Sequence, residues 1–391
     1  MCKKIFFITS IIGMSFIMVF GSGCATLEKE NEISESNEKS GIAAYEGVMP
    51  KDLPEHIHTE LKIGVMLDGY LDVSRELTEY KLKKTVLTRY VFETEKVVGD
   101  FLKTQGNPPI KNKKNSQKED EMLENGKKIE VYTAELKNGA EVQCRDLYFS
   151  FRNNIEEKFD LYKEEEMSEQ SCFDSVPREE ELGFVSIEEA EKKIQDSLSF
   201  LEIKNLFEPE VFTFTGDFLQ EEADRRYESA KKAGIQEEME YYGIDFSEED
   251  GYYYIHMKQG LQGVPVYYQG TSNETITGTY NSYLPTCAEG VYGKDGIIEL
   301  KITNLFNIKE EEEIEIKSFY DMLKKFCNTH GTKETTIKYI GLSYLPIVKD
   351  GSKLEFNGQP VWYFIYDALE TAEVITRNEI IYNAETGEIM G

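Results

Sequence analysis

Gly263-Val264-Pro265-Val266-Tyr267-Tyr268 and Gly358-Gln359-Pro360-Val361-Trp362-Tyr363 agree at Gly, Pro, Val and two successive aromatics. Each stretch stands in similar company. Upstream of the first, Ser186-Ile187-Glu188-Glu189 is a capping box, in which Ser and Glu side chains satisfy the open amides of a helix start. Ile187, Ala190, Ile194, Leu198 and Leu201 then step by three and four, which predicts an amphipathic helix. A strand over 210–215, an acidic helix over 219–241 and strands over 251–257 and 263–268 follow. Upstream of the second stretch the spacing predicts a helix over 314–327, with Ile316, Phe319, Tyr320, Leu323 and Phe326 on one stripe, then strands over 336–348. A last strand is expected over 378–382. Helix and antiparallel strands around one shared motif predict a tandem duplication, residues 182–304 and 305–391, with the acidic helix inserted in the first copy.

Before the repeats, Ile57, Leu61, Ile63, Val65 and Leu67 occupy odd positions of a run whose even positions are mostly polar, the period of a strand with one buried face. A strand over 81–91 and a helix from about Phe92 to Lys103 come next. The basic, polar stretch 108–125 reads as a loop, and 129–136 and 142–151 as paired strands about Asn138-Gly139. The expected fold class is therefore α+β: tandem helix-plus-antiparallel-sheet units preceded by an N-terminal α+β domain over 55–165.

The 391 residues carry 44 Lys plus Arg against 73 Asp plus Glu, a formal charge of −29. Nucleic acid is excluded as a partner, because phosphate backbones demand clustered cations. Lys3 and Lys4 precede an apolar segment from Ile5 to Phe20, the pattern of an export signal. Small residues Gly21-Ser22-Gly23 then run into Cys24. An uncleaved anchor shares the apolar segment, but the small residues directly before Cys24 favour cleavage after 1–23. Residues 24–54, rich in Glu, Ser and Asn, cannot bury enough surface to offset their ordering entropy and read as a flexible acidic tether. Loss of Lys3 and Lys4 takes the charge from −29 to −31, so lipid rather than electrostatics would hold the chain at an anionic membrane.

The stretch ending at Cys24 resembles the lipobox of bacterial lipoproteins, with Gly21 where Leu is usual; the resemblance implies that the thiol is diacylated and the protein faces outward on the membrane. The closing Asn383-Ala384-Glu385-Thr386-Gly387-Glu388-Ile389 resembles the strand-turn signature of PepSY-type domains, with Asn383 in place of the usual Asp. A double module behind a membrane anchor is similar to the YycH/YycI-type extracytoplasmic regulators of a Gram-positive histidine kinase. The whole mature chain resembles clostridial lipoproteins of a family of unknown function. These resemblances imply a fold and a compartment and carry over no catalytic residue.

No residue pattern points to an enzyme. There is no G-x-S-x-G, no H-E-x-x-H and no phosphate loop, and Gly293-Lys294-Asp295-Gly296 reads as a hairpin turn. His56 and His58 share one strand face, but it is the polar one and no third ligand stands nearby. Asp245 to Asp250 lacks the Gly and terminal Glu of a calcium loop. Cys144, Cys172, Cys287 and Cys327 allow three disulfide pairings, equally read as buried thiols, and their spacing suggests no zinc site. No cofactor or metal is expected. The expected function is non-enzymatic protein binding by a regulator or sensor at the cell envelope, with the membrane reached through lipidated Cys24. The alternative is solute, peptide or glycan binding on an aromatic sheet face formed by Tyr267, Tyr268, Trp362 and Tyr363.

Overall fold

The alternation that begins at His56 does not continue as one strand. It turns back at Ile63-Gly64, where Gly64 adopts φ +81°, a conformation glycine reaches without a Cβ clash. The result is a hairpin of β1 (His56–Lys62) and β2 (Val65–Asp72), and Ile63, expected to face inward, stands at its tip 92% exposed. This computed structural model describes residues 41–122, 128–153, 180–201, 205–207, 209–234, 245–266, 286–330, 334–349, 354–371 and 374–390.

Among these residues the chain continues through β3 (Lys81–Arg89), α1 (Thr94–Thr104), β4 (Ile110–Met122), β5 (Lys128–Leu136), β6 (Glu141–Arg145) and β7 (Tyr148–Arg152). Next come α2 (Ile187–Leu198), β8 (Glu210–Phe214), α3 (Gly216–Ala233), β9 (Tyr252–Lys258), and the short β10 (Gly260–Leu261) and β11 (Val264–Pro265). The described chain closes with β12 (Cys287–Gly293), β13 (Gly296–Thr303), β14 (Phe306–Glu315), α4 (Phe319–His330), β15 (Thr335–Val348), β16 (Glu355–Thr371) and β17 (Val374–Asn383).

The α+β fold class is corrected by this inventory. Among the described residues, seventeen strands against four α-helices make a mostly β protein, built on a seven-stranded sheet, an eight-stranded sheet and the two-stranded β10-β11 ribbon. The seven-stranded sheet runs β1-β2-β15-β16-β3-β14 with β17 also on β16, and the eight-stranded sheet runs β4-β5-β6-β7-β13-β12-β9-β8. The N-terminal strands β1 to β3 thus complete the C-terminal sheet: β2 pairs parallel with β15, and β3 pairs with β14 and β16. Period-two patterning identifies a strand and its buried face but says nothing of a partner far away in sequence.

Each helix covers part of a sheet. Helices α1 and α2 pack on one face of the eight-stranded sheet, through Phe101, Ile194 and Leu198, and α3 covers the other through Leu219 and Ala223. Helix α4 lays Phe319, Leu323 and Phe326 on the seven-stranded sheet. Ser186 caps α2 by accepting from the Glu189 amide at 3.2 Å. Helix α4 begins later than its apolar stripe suggests, because β14 stays paired with β3 as far as Glu315. A capping box then starts the helix: Ser318 Oγ accepts from the Asp321 amide, and the Asp321 carboxylate accepts from the Ser318 amide. Helix α3 stops at Ala233, where Gly234 takes φ +73°. The expected loop over 108–125 is largely the edge strand β4; Lys111 and Asn112 pair with Glu135 on β5, and edge charge of this kind blunts further strand addition.

The two Gly-x-Pro-Val stretches occupy different places. Val264-Pro265 forms the short β11, whereas Pro360-Val361 lies inside β16. Pro360 is tolerated there because β3 pairs with β16 only through Gly358 and β17 only from Val361, so its missing N–H falls between the two ladders. Both stretches meet at one residue: Tyr344 on β15 pairs antiparallel with Pro360 and forms a parallel bridge with Val266.

Candidate functional site

Burial takes Trp362 and Tyr363 out of the expected aromatic sheet face. Trp362 and Tyr363, successive on β16, point to opposite faces of the sheet and are 0% and 3% exposed. Trp362 lies under α4, 6.1 Å from Phe319 between ring centroids, and its Nε1–H donates to the Lys317 carbonyl at 3.1 Å. Tyr252, Tyr253 and Tyr254 are buried because β9 is covered on both sides, which makes it a continuous hydrophobic run rather than an alternating one. Tyr267, Tyr268, Cys24 and Cys172 lie outside the described residues.

Tyr363 leads instead to a charged seam between the two large sheets. Its ring lies across Gly341, its partner on β15, where a Cβ would come within 2.2 Å of the ring. The Tyr363 hydroxyl donates to Tyr339 Oη at 3.3 Å, and Tyr339 donates to Asp72 Oδ2 at 2.7 Å. From the other sheet, Lys258 Nζ reaches the same Asp72 oxygen at 3.1 Å and Glu210 Oε1 at 3.2 Å. The seam is half-buried, with the Lys258 side chain 15% and the Asp72 side chain 32% exposed. Burial alone would raise the Asp72 carboxyl, but the Lys258 charge and the Tyr339 hydrogen bond outweigh it and hold Asp72 below the usual carboxylate range. Burial likewise opposes the charge on Lys258, and Asp72 and Glu210 overcome it, so the ammonium sits above its ordinary range. A lysine held protonated in this way is a bridge and not a nucleophile. Beside it, buried Gln259 exchanges two 2.7 Å hydrogen bonds with the Phe306 backbone, fixing the crossing from one sheet to the other.

Two residues along β9 from Lys258 lies a second polar group. His256 is directly opposite Glu289 on β12, and Cys287 is two residues before Glu289, so all three share one face. All are buried, and their nitrogen, sulfur and oxygen donors lie within 4.8 Å of one another. Tyr254 Oη donates to Glu289 Oε1 at 2.9 Å, and Thr303 Oγ1 lies 3.6 Å from Cys287 Sγ. Burial pulls His256 below the imidazole range, partly offset by the Glu289 charge. Burial, with Glu289, pushes the Cys287 thiol well up. Sequence spacing missed this group because its members come from two strands separated by the 267–285 segment, and only strand register brings them together.

The residues that drew notice in the sequence are placed elsewhere. His58 Nδ1 lies 2.9 Å from Asp68 Oδ1, and the His56 ring meets Tyr70 edge-on at 4.9 Å, both across the β1–β2 hairpin. Asp250 accepts from the Ser247 amide at 2.8 Å and caps a short 3-10 turn, while Glu249 pairs with Lys294 at 2.7 Å. Cys144, Cys287 and Cys327 are buried thiols. A cavity of about 480 Å³ opens between the C-terminal end of α1, helix α2 and the β12–β13 turn, lined among others by Gln105, Asn153, Lys193, Asp196 and Asp295.

No protein-family model and no curated protein matches the chain. Among solved structures, it is similar to an uncharacterised protein from Eubacterium rectale, at 16% identity over 90% of this chain and 97% of the other, with a TM-score of 0.66. At that identity the likeness concerns the fold alone.

Proposed function

We propose that the protein is an extracytoplasmic, lipid-anchored binding protein that acts on a protein partner at the outer face of the membrane, as a regulator or sensor without chemistry of its own. The observation that carries this reading is the order Lys3-Lys4, the apolar run Ile5 to Phe20, and Gly21-Ser22-Gly23 directly before Cys24. The expected tether 24–54 is shortened by the structure, since Tyr45 packs on Phe319 and Leu53 is buried; the Glu- and Ser-rich stretch 24–40 is left to supply the reach by which the folded part meets a membrane-embedded partner. Among the described residues no helix is long and apolar enough to cross a membrane. Mass spectrometry of the mature N-terminus tests the anchor: a diacylated Cys24 and release of Cys24→Ala from membranes are expected, and an unmodified, uncleaved N-terminus overturns it. Crosslinking on intact membranes tests the partner. An envelope protein recovered with the wild type and lost with Cys24→Ala supports the reading, and recovery of no specific protein counts against it.

The cavity beside α1 and α2 favours a second reading, binding of a polar solute or peptide. Its lining of amides and mixed charges suits a zwitterionic ligand. Thermal-shift screening separates the two, since a solute acting there stabilises the wild type and has no effect on Lys193→Ala.

A further inference from the structure

We propose that His256, Cys287 and Glu289 form a binding site for a divalent transition-metal ion, zinc by the chemistry of the donors. Strand register assembles the site. Antiparallel pairing of β9 with β12 sets His256 against Glu289, and the two-residue period brings Cys287 to the same face. Three different ligand types thereby meet on two adjacent, rigid strands, with their donor atoms inside a 4.8 Å span. Ligand atoms of a tetrahedral zinc centre stand about 3.3–3.8 Å apart, given Zn–N and Zn–S bonds of about 2.0–2.3 Å, so small side-chain rotations close the site.

Donor chemistry selects the metal. A thiolate and an imidazole disfavour magnesium and calcium, which take oxygen ligands, and suit zinc. Charge agrees: a thiolate and a carboxylate bring two negative charges, which a divalent ion neutralises in a place where uncompensated charge is costly. Lys258 is held by Asp72 and Glu210, and Lys301 reaches Glu289 only at 3.9 Å from a partly exposed position. Outer groups hold the ligands in place, with Tyr254 donating to Glu289 and Thr303 beside the Cys287 sulfur. Three protein ligands leave a fourth position for water. The ion would pin β9 to β12 next to the Lys258–Asp72 bridge, stiffening the eight-stranded sheet where it meets the other.

Full-length protein stripped with a chelator and titrated with Co²⁺ tests this directly. One equivalent is expected to give a thiolate-to-cobalt charge-transfer band, displaced by Zn²⁺. Zn²⁺ is expected to raise the melting temperature and Mg²⁺ is not. Cys287→Ser abolishes the band, and Tyr254→Phe, which keeps all three ligands, weakens binding about 10–100-fold. Absence of the band in the wild type overturns the proposal without any variant needing to fold, as does stoichiometry well below one metal per chain by elemental analysis. A band that survives Cys287→Ser, or a zinc-induced shift that is lost with His58→Ala, places the metal elsewhere and also overturns it.

Discussion

Lys258 on β9 and Asp72 on β2 lie 3.1 Å apart although 186 residues separate them, and their contact joins the eight-stranded sheet to the seven-stranded one. Removing the carboxylate charge with Asp72→Asn leaves a largely buried ammonium facing Glu210 alone. The expected loss is about 1–3 kcal/mol in urea unfolding, below that of a fully buried pair because Asp72 is partly exposed. Asp72 has a lowered carboxyl pKa in the folded state, so its contribution is complete above the unfolded value of about 4 and disappears as pH falls through the folded value. Stability against pH therefore drops more steeply below about pH 4 in the wild type than in Asp72→Asn.

His330 gives the opposite kind of group. It stacks on Phe326 at 4.5 Å and leans on Tyr366 at 5.1 Å. Burial holds its imidazole below the ordinary range, against the contact of Nδ1 with the Phe326 carbonyl. The folded state thus binds its proton more weakly than the unfolded chain. Stability is complete above about pH 6.5 and falls as pH drops toward the folded value. Denaturant midpoints measured from pH 7.5 to 5 are expected to show this slope, and His330→Gln is expected to reduce it, leaving the part that buried His256 contributes with the same sign.

Helix α2 sits close to β12 because Gly290 has no side chain. A Cβ there would come within 2.6 Å of Ile194 Cδ1. Gly290→Ala is expected to cost about 1–3 kcal/mol by overpacking. Ile194→Ala in the same chain removes all three side-chain atoms that the new Cβ would meet and should recover part of that loss, giving a double variant more stable than the sum of the two single effects predicts, as read from chemical denaturation.

Trp362 is wholly buried under α4. Trp362→Ala is expected to lower stability by about 3–5 kcal/mol, and Trp362→Phe by less, with loss of the hydrogen bond to Lys317. A binding role on an exposed face would have reversed that order, harming ligand affinity while sparing the fold.

Much of the local structure was legible in the chain. Ser186 and Glu189 marked the start of α2, Phe101 and its neighbours marked the buried face of α1, and Lys294-Asp295 marked the β12–β13 turn. These features depend on neighbours a few residues away, and their signals lie in caps, turn residues and periodicity. The polar stretch that became β4 shows the limit. Its Lys and Asn side chains suit an edge strand and a loop equally, and pairing with β5 decided between them.

The candidate sites were illegible for the same reason. Asp72, Tyr339 and Lys258 carry no shared motif, and His256, Cys287 and Glu289 come together only through the register of β9 with β12. The sequence by itself determined the charge, the capped start of α2 and the buried stripe of α1. Tertiary structure alone decided that β1 to β3 join the C-terminal strands, that Trp362 and Tyr363 are buried, and that acidic, basic and thiol groups meet inside. The physical reason is range: capping and periodicity act within a few residues, whereas strand partners and buried polar contacts are chosen by the packing of the whole chain.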